Sequence, residues 1–190
     1  MARNSIKLDE KDRKIISLLH DNQEISQEEI ASKIKLSQPS VAIRIRKLKE
    51  RGIIEQIIGV NLNMVGVYVA MVSVRTTNTT KVLNLLRNCP FFLNGFVMSG
   101  EKNLMLLLAG EDLASLESMI DSRIRPDKDV QSADFNIMIS SINDFVMPIR
   151  LIERPLKTPP CGVDYKECQA YSENRCYGCP STSRYKGVFW

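Results

Sequence analysis

The 190-residue chain contains one histidine, one tryptophan and nine glycines, and only 6% of it is aromatic. The single histidine, His20, falls among the leucines of a first helix and reads as structural, which leaves no imidazole elsewhere for acid–base or metal chemistry. Long hydrophobic runs are also missing. The longest, Leu104 to Ala109, is far short of the ~20 apolar residues a membrane helix requires, and the opening MARNSIKLDEKDRK lacks the apolar core of a secretory signal. A cytoplasmic protein without membrane partners is the expectation. Paired carboxylates are absent too. Glu111, Asp112, Glu117 and Asp121 scatter along one helix at cap and surface positions, so no catalytic residues are assigned and no enzyme is expected.

What is present is enough apolar material, 44% of residues, to pack one domain or two small ones. Charge is unevenly spread. Residues 1–60 carry 12 Lys/Arg against 9 Asp/Glu, residues 61–147 carry 7 against 9, and residues 148–190 carry 7 against 4. A basic surplus at the ends with an acidic middle suits an anionic partner held at one end only.

The basic N-terminal part is organised around Ser26 to Gly52. Ser26-Gln27-Glu28-Glu29 is an S-x-x-E capping box, and Ile30, Ala31 and Ile34 give the helix it opens one apolar face. Leu36-Ser37 breaks that helix. Ser37 then caps a second one, with Pro39 in its first turn, where a missing N–H costs little. Val41, Ile45 and Leu48 fall inward at helical spacing, while Arg44, Arg46, Lys47, Lys49 and Arg51 occupy the rest of the circumference. This is a helix-turn-helix whose second helix is expected to enter the DNA major groove. Ser37 opens it, Gln38, Ser40 and Ile43 are the candidate base readers, and Arg44, Arg46 and Lys47 are the candidate contacts to phosphates or, in one case, to a guanine edge. A first helix opens at Leu8-Asp9. The β-branched Ile53 to Val60 predicts a strand or small wing, so residues 1–60 read as a winged helix-turn-helix domain.

From residue 61 the pattern becomes strand 67–75, helix 79–89, strands 92–99 and 103–109, a helix capped by Asp112, and strand 131–142. That β-α-β-β-α-β order predicts a ferredoxin-like domain over 61–144, with both helices on one face of an antiparallel sheet. The other face would be bare, which favours a homodimer. The class is α+β. Cys89, alone before Pro90, reads as a small buried or half-buried hydrophobe. Residues 145–160 hold four prolines and predict an extended connector.

The segment 161–190 contains half of the chain's aromatics, more than a disordered tail would hold. Its cysteines are spaced Cys161-x6-Cys168-x7-Cys176-x2-Cys179-Pro180. Four thiolates can complete a zinc shell or hold an iron–sulfur cluster. Zinc modules commonly show two C-x2-C knuckles and this segment has one. That irregularity, the Cys-Pro ending and the nearby Tyr165, Tyr171 and Tyr177 favour a [4Fe–4S] centre, with Zn as the alternative.

The residues Leu8-Asp9, Asp12, Ile15, Ile30-Ala31, Leu36-Ser37, Val41, Arg44-Ile45, Leu48 and Gly52-Ile53-Ile54, followed by the join at Gly66, resemble the Lrp/AsnC, or feast/famine, family of transcription regulators. The resemblance covers both domains and not the tail. It implies an effector-binding and dimerisation role for the second domain, and dimers, assembling further into even-numbered oligomers, on pseudo-palindromic double-stranded promoter DNA. The family carries a Gly-x-Tyr-Asp-like effector loop between its second and third strands. Here Gly100, Glu101, Lys102 and Asn103 keep the glycine and lose the aspartate, so amino-acid sensing is not implied. Siroheme decarboxylases share the architecture and supply the enzyme alternative, against which stand the basic helix and the absence of histidine from residues 61–147. The expectation is a sequence-specific DNA-binding regulator governed by a C-terminal four-cysteine centre that senses oxygen, redox state, iron or sulfur supply. A structural-zinc regulator with a small-molecule effector is the alternative.

Overall fold

The computed structural model describes residues 7–149, 151 and 156–190, and the chain divides into two compact units at Ile57/Ile58. The first unit is three helices: α1 (Glu10–Asp21), α2 (Gln27–Ile34) and α3 (Gln38–Glu50). Asp9 caps α1 through a reciprocal capping box, accepting from the Asp12 amide at 2.7 Å while the Asp12 carboxylate accepts from the Asp9 amide. At α2 only half of the expected box forms. Ser26 Oγ accepts from the Glu29 amide, and Glu29 turns to pair with Lys33 one turn on. Ile15, Ile30, Ala31, Ile34, Val41, Ile45 and Leu48 are buried together as one core.

The expected strand over 53–60 does not form. Gly52, at φ +63°, ends α3 in a left-handed turn that sends the amides of Ile53 and Ile54 back to the Leu48 carbonyl. That glycine cap packs Ile53 and Ile54 against the helical core, so burial of the pair overrides their β propensity. The first strand is β1 (Val60–Asn61), and it pairs antiparallel with β6 (Val146–Met147). The start of the expected connector is therefore a strand. Leu156, near its end, bridges to Thr182, while residues 150 and 152–155 lie outside the described residues.

The second unit holds β2 (Tyr68–Thr76), α4 (Thr79–Leu86), β3 (Phe92–Val97), β4 (Leu104–Gly110), α5 (Leu113–Arg123) and β5 (Val130–Ile137). The strands order as β3-β4-β2-β5, every neighbour antiparallel, which is the ferredoxin-like arrangement. Alternation along β2 and β4 buries Ala70, Val72, Val74, Leu104, Leu106 and Leu108 beneath the helices. The opposite face carries the cross-strand pairs Met71–Leu107 and Ser73–Met105, all partly exposed.

Residues 156–190 fold onto this unit, with one short helix, α6 (Gln169–Ser172). Two attachments hold them. Ser115, in the first turn of α5, accepts the Tyr177 amide at 2.7 Å. Glu111, just before α5, accepts from the Tyr185 hydroxyl and from the amides of Val188 and Phe189. Trp190 packs on the same core, edge-on to Phe91 at 5.5 Å between centroids.

Burial pushes the Glu111 carboxyl up, but the two amides and the Tyr185 hydroxyl outweigh it, and the group ends below its ordinary value of 4.5. Its contribution to docking is therefore fully present above that value and is lost as pH falls through the lower folded one. Trp190, the single tryptophan, reports the event. Glu111→Ala removes charge-assisted hydrogen bonds of about 2 kcal/mol each and should red-shift Trp190 emission at neutral pH, as acid does in the parent. Unchanged emission in the variant would contradict this anchoring.

Candidate functional site

Two regions carry the residues singled out by sequence. In the first unit, Lys35 adopts the left-handed conformation (φ 54°) and ends α2, and Ser37 caps α3 by accepting from the Ser40 amide. The two serine hydroxyls also bond each other at 2.8 Å. With Val41, Ile45 and Leu48 buried, the helix turns Gln38, Ile43, Arg46 and Lys47 to solvent and leaves Ser40 and Arg44 partly exposed. Ile43, Arg46 and Lys47 share one ridge at i, i+3 and i+4. Gln38 Nε2 donates to Gln27 Oε1 on α2 at 3.1 Å, which holds the amide at the mouth of the turn.

Arg44, a candidate DNA contact, is engaged within the helical unit. Its guanidinium donates to Asp9 at 2.7 Å and Asp12 at 2.6 Å, the two residues of the α1 capping box. The Asp12 amide and then the Arg44 side chain hold the Asp9 carboxyl below its ordinary range, and the two carboxylates hold Arg44 still more firmly charged. With both carboxylates on its guanidinium, Arg44 ties α1 to α3 and positions the recognition helix. Arg46, 3.7 Å from Glu50 and largely exposed, Lys47 and Lys49 are the cations the helix presents outward.

The second region is the tail. Cys161, Cys168, Cys176 and Cys179 line one cavity of about 70 Å³. Cys89, expected to be an isolated structural thiol, lines it as well. On the side of the ferredoxin-like domain the wall is completed by Phe91 and by Ser118, Met119, Ser122 and Arg123 on α5. No three His, Cys, Asp or Glu side chains among the described residues converge as the ligands of one metal ion would.

The geometry of the tail serves these thiols. Gly178, at φ +87°, lets the Cys176-Tyr177-Gly178-Cys179 turn close, and a Cβ there would meet the Tyr171 ring at 3.0 Å. Its amide donates to Cys176 Sγ at 3.3 Å. Tyr165 Oη accepts from the Cys179 amide at 2.7 Å and bonds Thr182 Oγ1, while its ring packs on Tyr171 at 4.5 Å. Lys186 lies over the Tyr171 ring at 4.1 Å. Burial pushes the Cys89 thiol up to about 12, and raises Cys176 and Cys179 too. Hydrogen bonds partly oppose this: Gly178 and Ser115 lower Cys176, and Ser181 lowers Cys179.

The effector-loop candidates are tied to the sheet. Gly100 takes φ +119°. Glu101 pairs with Arg75, Lys102 with Asp134 and Ser132, and Asn103 bonds both the amide and the carbonyl of Thr76. Each of the three polar side chains in the loop is thus engaged with β2 or β5.

Residues 8–55 match the family model described as winged helix-turn-helix DNA-binding. The transcriptional regulator LrpC of Bacillus subtilis is 30% identical over 120 residues, which is 61% of this chain and 83% of LrpC. The chain belongs to the Lrp/AsnC family of transcription regulators. The leucine-responsive regulatory protein of Rhizobium meliloti is 25% identical over 73% of this chain and 94% of its own length. The solved structure of LrpC superposes with a TM-score of 0.61 at 26% identity, covering 73% of this chain and 99% of that one. AsnC of E. coli shares the fold, at a TM-score of 0.62 and 18% identity over 73% and 96%. As a member, the chain is a DNA-binding transcription regulator, and the decarboxylase alternative finds no support among these relatives. Each of them is matched over most of its own length, yet about a quarter of this chain or more has no counterpart in it.

The Arg44 arrangement is checked by thermal melting. Arg44→Ala strands two carboxylates and should lower the melting temperature of the helical unit, whereas Arg46→Ala, at an exposed position, should leave stability within about 0.5 kcal/mol. Equal melting of the two variants would return Arg44 to the outward-facing set.

Proposed function

We propose that the family's DNA-binding activity is here placed under the control of an iron–sulfur centre held by Cys161, Cys168, Cys176 and Cys179. The observation that carries this reading is that four thiols from a thirty-residue segment line one cavity. A cavity of about 70 Å³ is several times the ~10–15 Å³ one water needs, so it suits a many-atom group better than a lone ion. All-sulfur donors fit the same class.

Such a group supplies a site for one-electron chemistry that is sensitive to oxygen and to iron and sulfur supply. The chain's own residues supply the rest. The four thiolates bind it, the Gly178 amide and the Ser115 hydroxyl donate toward Cys176, and Tyr165 and Tyr171 screen it from water. Because the same tail is anchored at Glu111 and Ser115, holding or losing the group changes how firmly residues 161–190 sit on the ferredoxin-like domain. That change is the signal passed to DNA occupancy. On the DNA side, Ser37, Gln38, Ser40 and Ile43 face base edges, Arg46 and Lys47 hold phosphates, and Arg44 keeps the helix in place. Pairing of the open sheet face around Met71, Met105 and Leu107 gives the homodimer, and two recognition helices then read two half-sites.

Metal analysis and a visible spectrum on anaerobically prepared protein test the centre. Iron and acid-labile sulfide in equal amounts are expected, each Cys→Ser change at 161, 168, 176 or 179 should remove most of both, and Cys89→Ser should retain them. A colourless protein with stoichiometric zinc overturns the cluster. On the DNA side, Arg46→Ala should weaken target and scrambled duplexes alike and reduce the salt slope by about 1. Gln38→Ala should instead relax specificity, and equal losses on both duplexes would refute its role.

A further inference from the structure

The cavity beneath the tail has two makers. The tail provides four cysteines, and the ferredoxin-like domain provides Cys89, Phe91 and one face of α5. Helical periodicity explains that face. Leu116 and Ile120, with Ile124 just past the helix, lie at i, i+4 and i+8 and are fully buried against the sheet, so Ser118 and Ser122 turn the other way while Met119 and Arg123 lie on the flank between, and all four line the cavity. Among the described residues, Arg123 is the one cation lining the cavity. Its Nε is buried and has no hydrogen-bond partner among the described residues. A buried donor without an acceptor carries a desolvation cost that a partner would relieve, and a guanidinium supplies that donor with a full positive charge beside it.

The chemistry of the proposed centre accounts for both facts. Four thiolates outweigh the positive charge of a [4Fe–4S] core, so the filled cavity is a net anion, and reduction adds a further negative charge. Net charge, hydrogen bonds to sulfur and solvent exposure set the potential of such a centre. We infer that Arg123 is the counter-charge of the centre: a positioning and tuning residue that lies outside the ligand set, stabilises the anion and favours its reduced form. This inference rests on the iron–sulfur reading above and adds to it that the ferredoxin-like domain, through the last residue of α5, sets the potential at which the tail responds. Among the described residues of the tail, Lys186 donates to the Tyr171 carbonyl and to Asn174 and Arg184 lies over the Tyr165 ring.

The test is a spectroelectrochemical titration of full-length protein prepared anaerobically, comparing the parent with Arg123→Gln and Arg123→Lys, with iron and sulfide measured on each sample. Arg123→Gln should shift the midpoint potential to more negative values and speed cluster loss in air several-fold, and Arg123→Lys should restore most of the shift. A Gln variant with parental iron content and an unchanged potential overturns the inference and leaves the cluster reading intact. If the Gln variant cannot hold iron, the Lys variant decides: retention with a near-parental potential supports the charge role, and loss in both overturns it in favour of packing. A parent protein without iron and sulfide overturns the cluster reading, and this inference with it.

Discussion

Helix α5 is held from two sides, and the second unit depends on that. One face, Leu116 and Ile120, with Ile124 following, seals the sheet core, and Ser118 and Ser122 on the opposite side, with Met119 and Arg123 on the flank, line the thiol cavity. The start of the helix adds anchors. Asp112 caps it through the Ser115 amide, Ser115 Oγ accepts the Tyr177 amide, and Glu111 gathers the last residues of the chain. A segment of some thirty residues is too small to bury a stable core alone. Here it uses the exposed side of a helix whose other side is already fixed.

The helical unit obeys a similar economy. α2 and α3 have their own caps and apolar stripes, but the angle at which α3 presents Gln38, Ile43, Arg46 and Lys47 depends on α1 through the Arg44 bridge to Asp9 and Asp12. Positive charge on the recognition helix therefore divides into two tasks. Arg44 fixes geometry, and the cations beyond it remain outward for an anionic partner. The effector loop shows the same self-sufficiency, since its polar side chains are satisfied by Arg75, Thr76, Ser132 and Asp134.

What could be read from the sequence was local. The Asp9, Ser26, Ser37 and Asp112 caps, the apolar stripes of the helices and the β-α-β-β-α-β order all follow from spacing within a few residues. The wing strand failed as an expectation because Gly52 gives α3 a left-handed end and Ile53-Ile54 gain more from the helical core than from a ladder. The Ser26 box closed by half because Glu29 has a competing partner in Lys33. The thiol set was legible as four close cysteines, but its inner wall was not. Cys89 and Arg123 stand far from the tail in sequence, and only the packing of α5 and the α4–β3 turn brings them to the cavity. The one available signal for Cys89 was that it is the chain's only cysteine outside the cluster.

Whether the proposed Cys161–Cys179 centre governs DNA occupancy is decided by one affinity measured twice. Dissociation constants for the same promoter duplex, at one fixed salt concentration and under anaerobic conditions, are compared between cluster-loaded protein and protein from which the cluster has been removed, with Trp190 emission recorded on both. Control of DNA binding by the centre requires different affinities accompanied by a change in emission. Identical affinities for the two forms, with the cluster shown to be present in one and absent from the other, would contradict it.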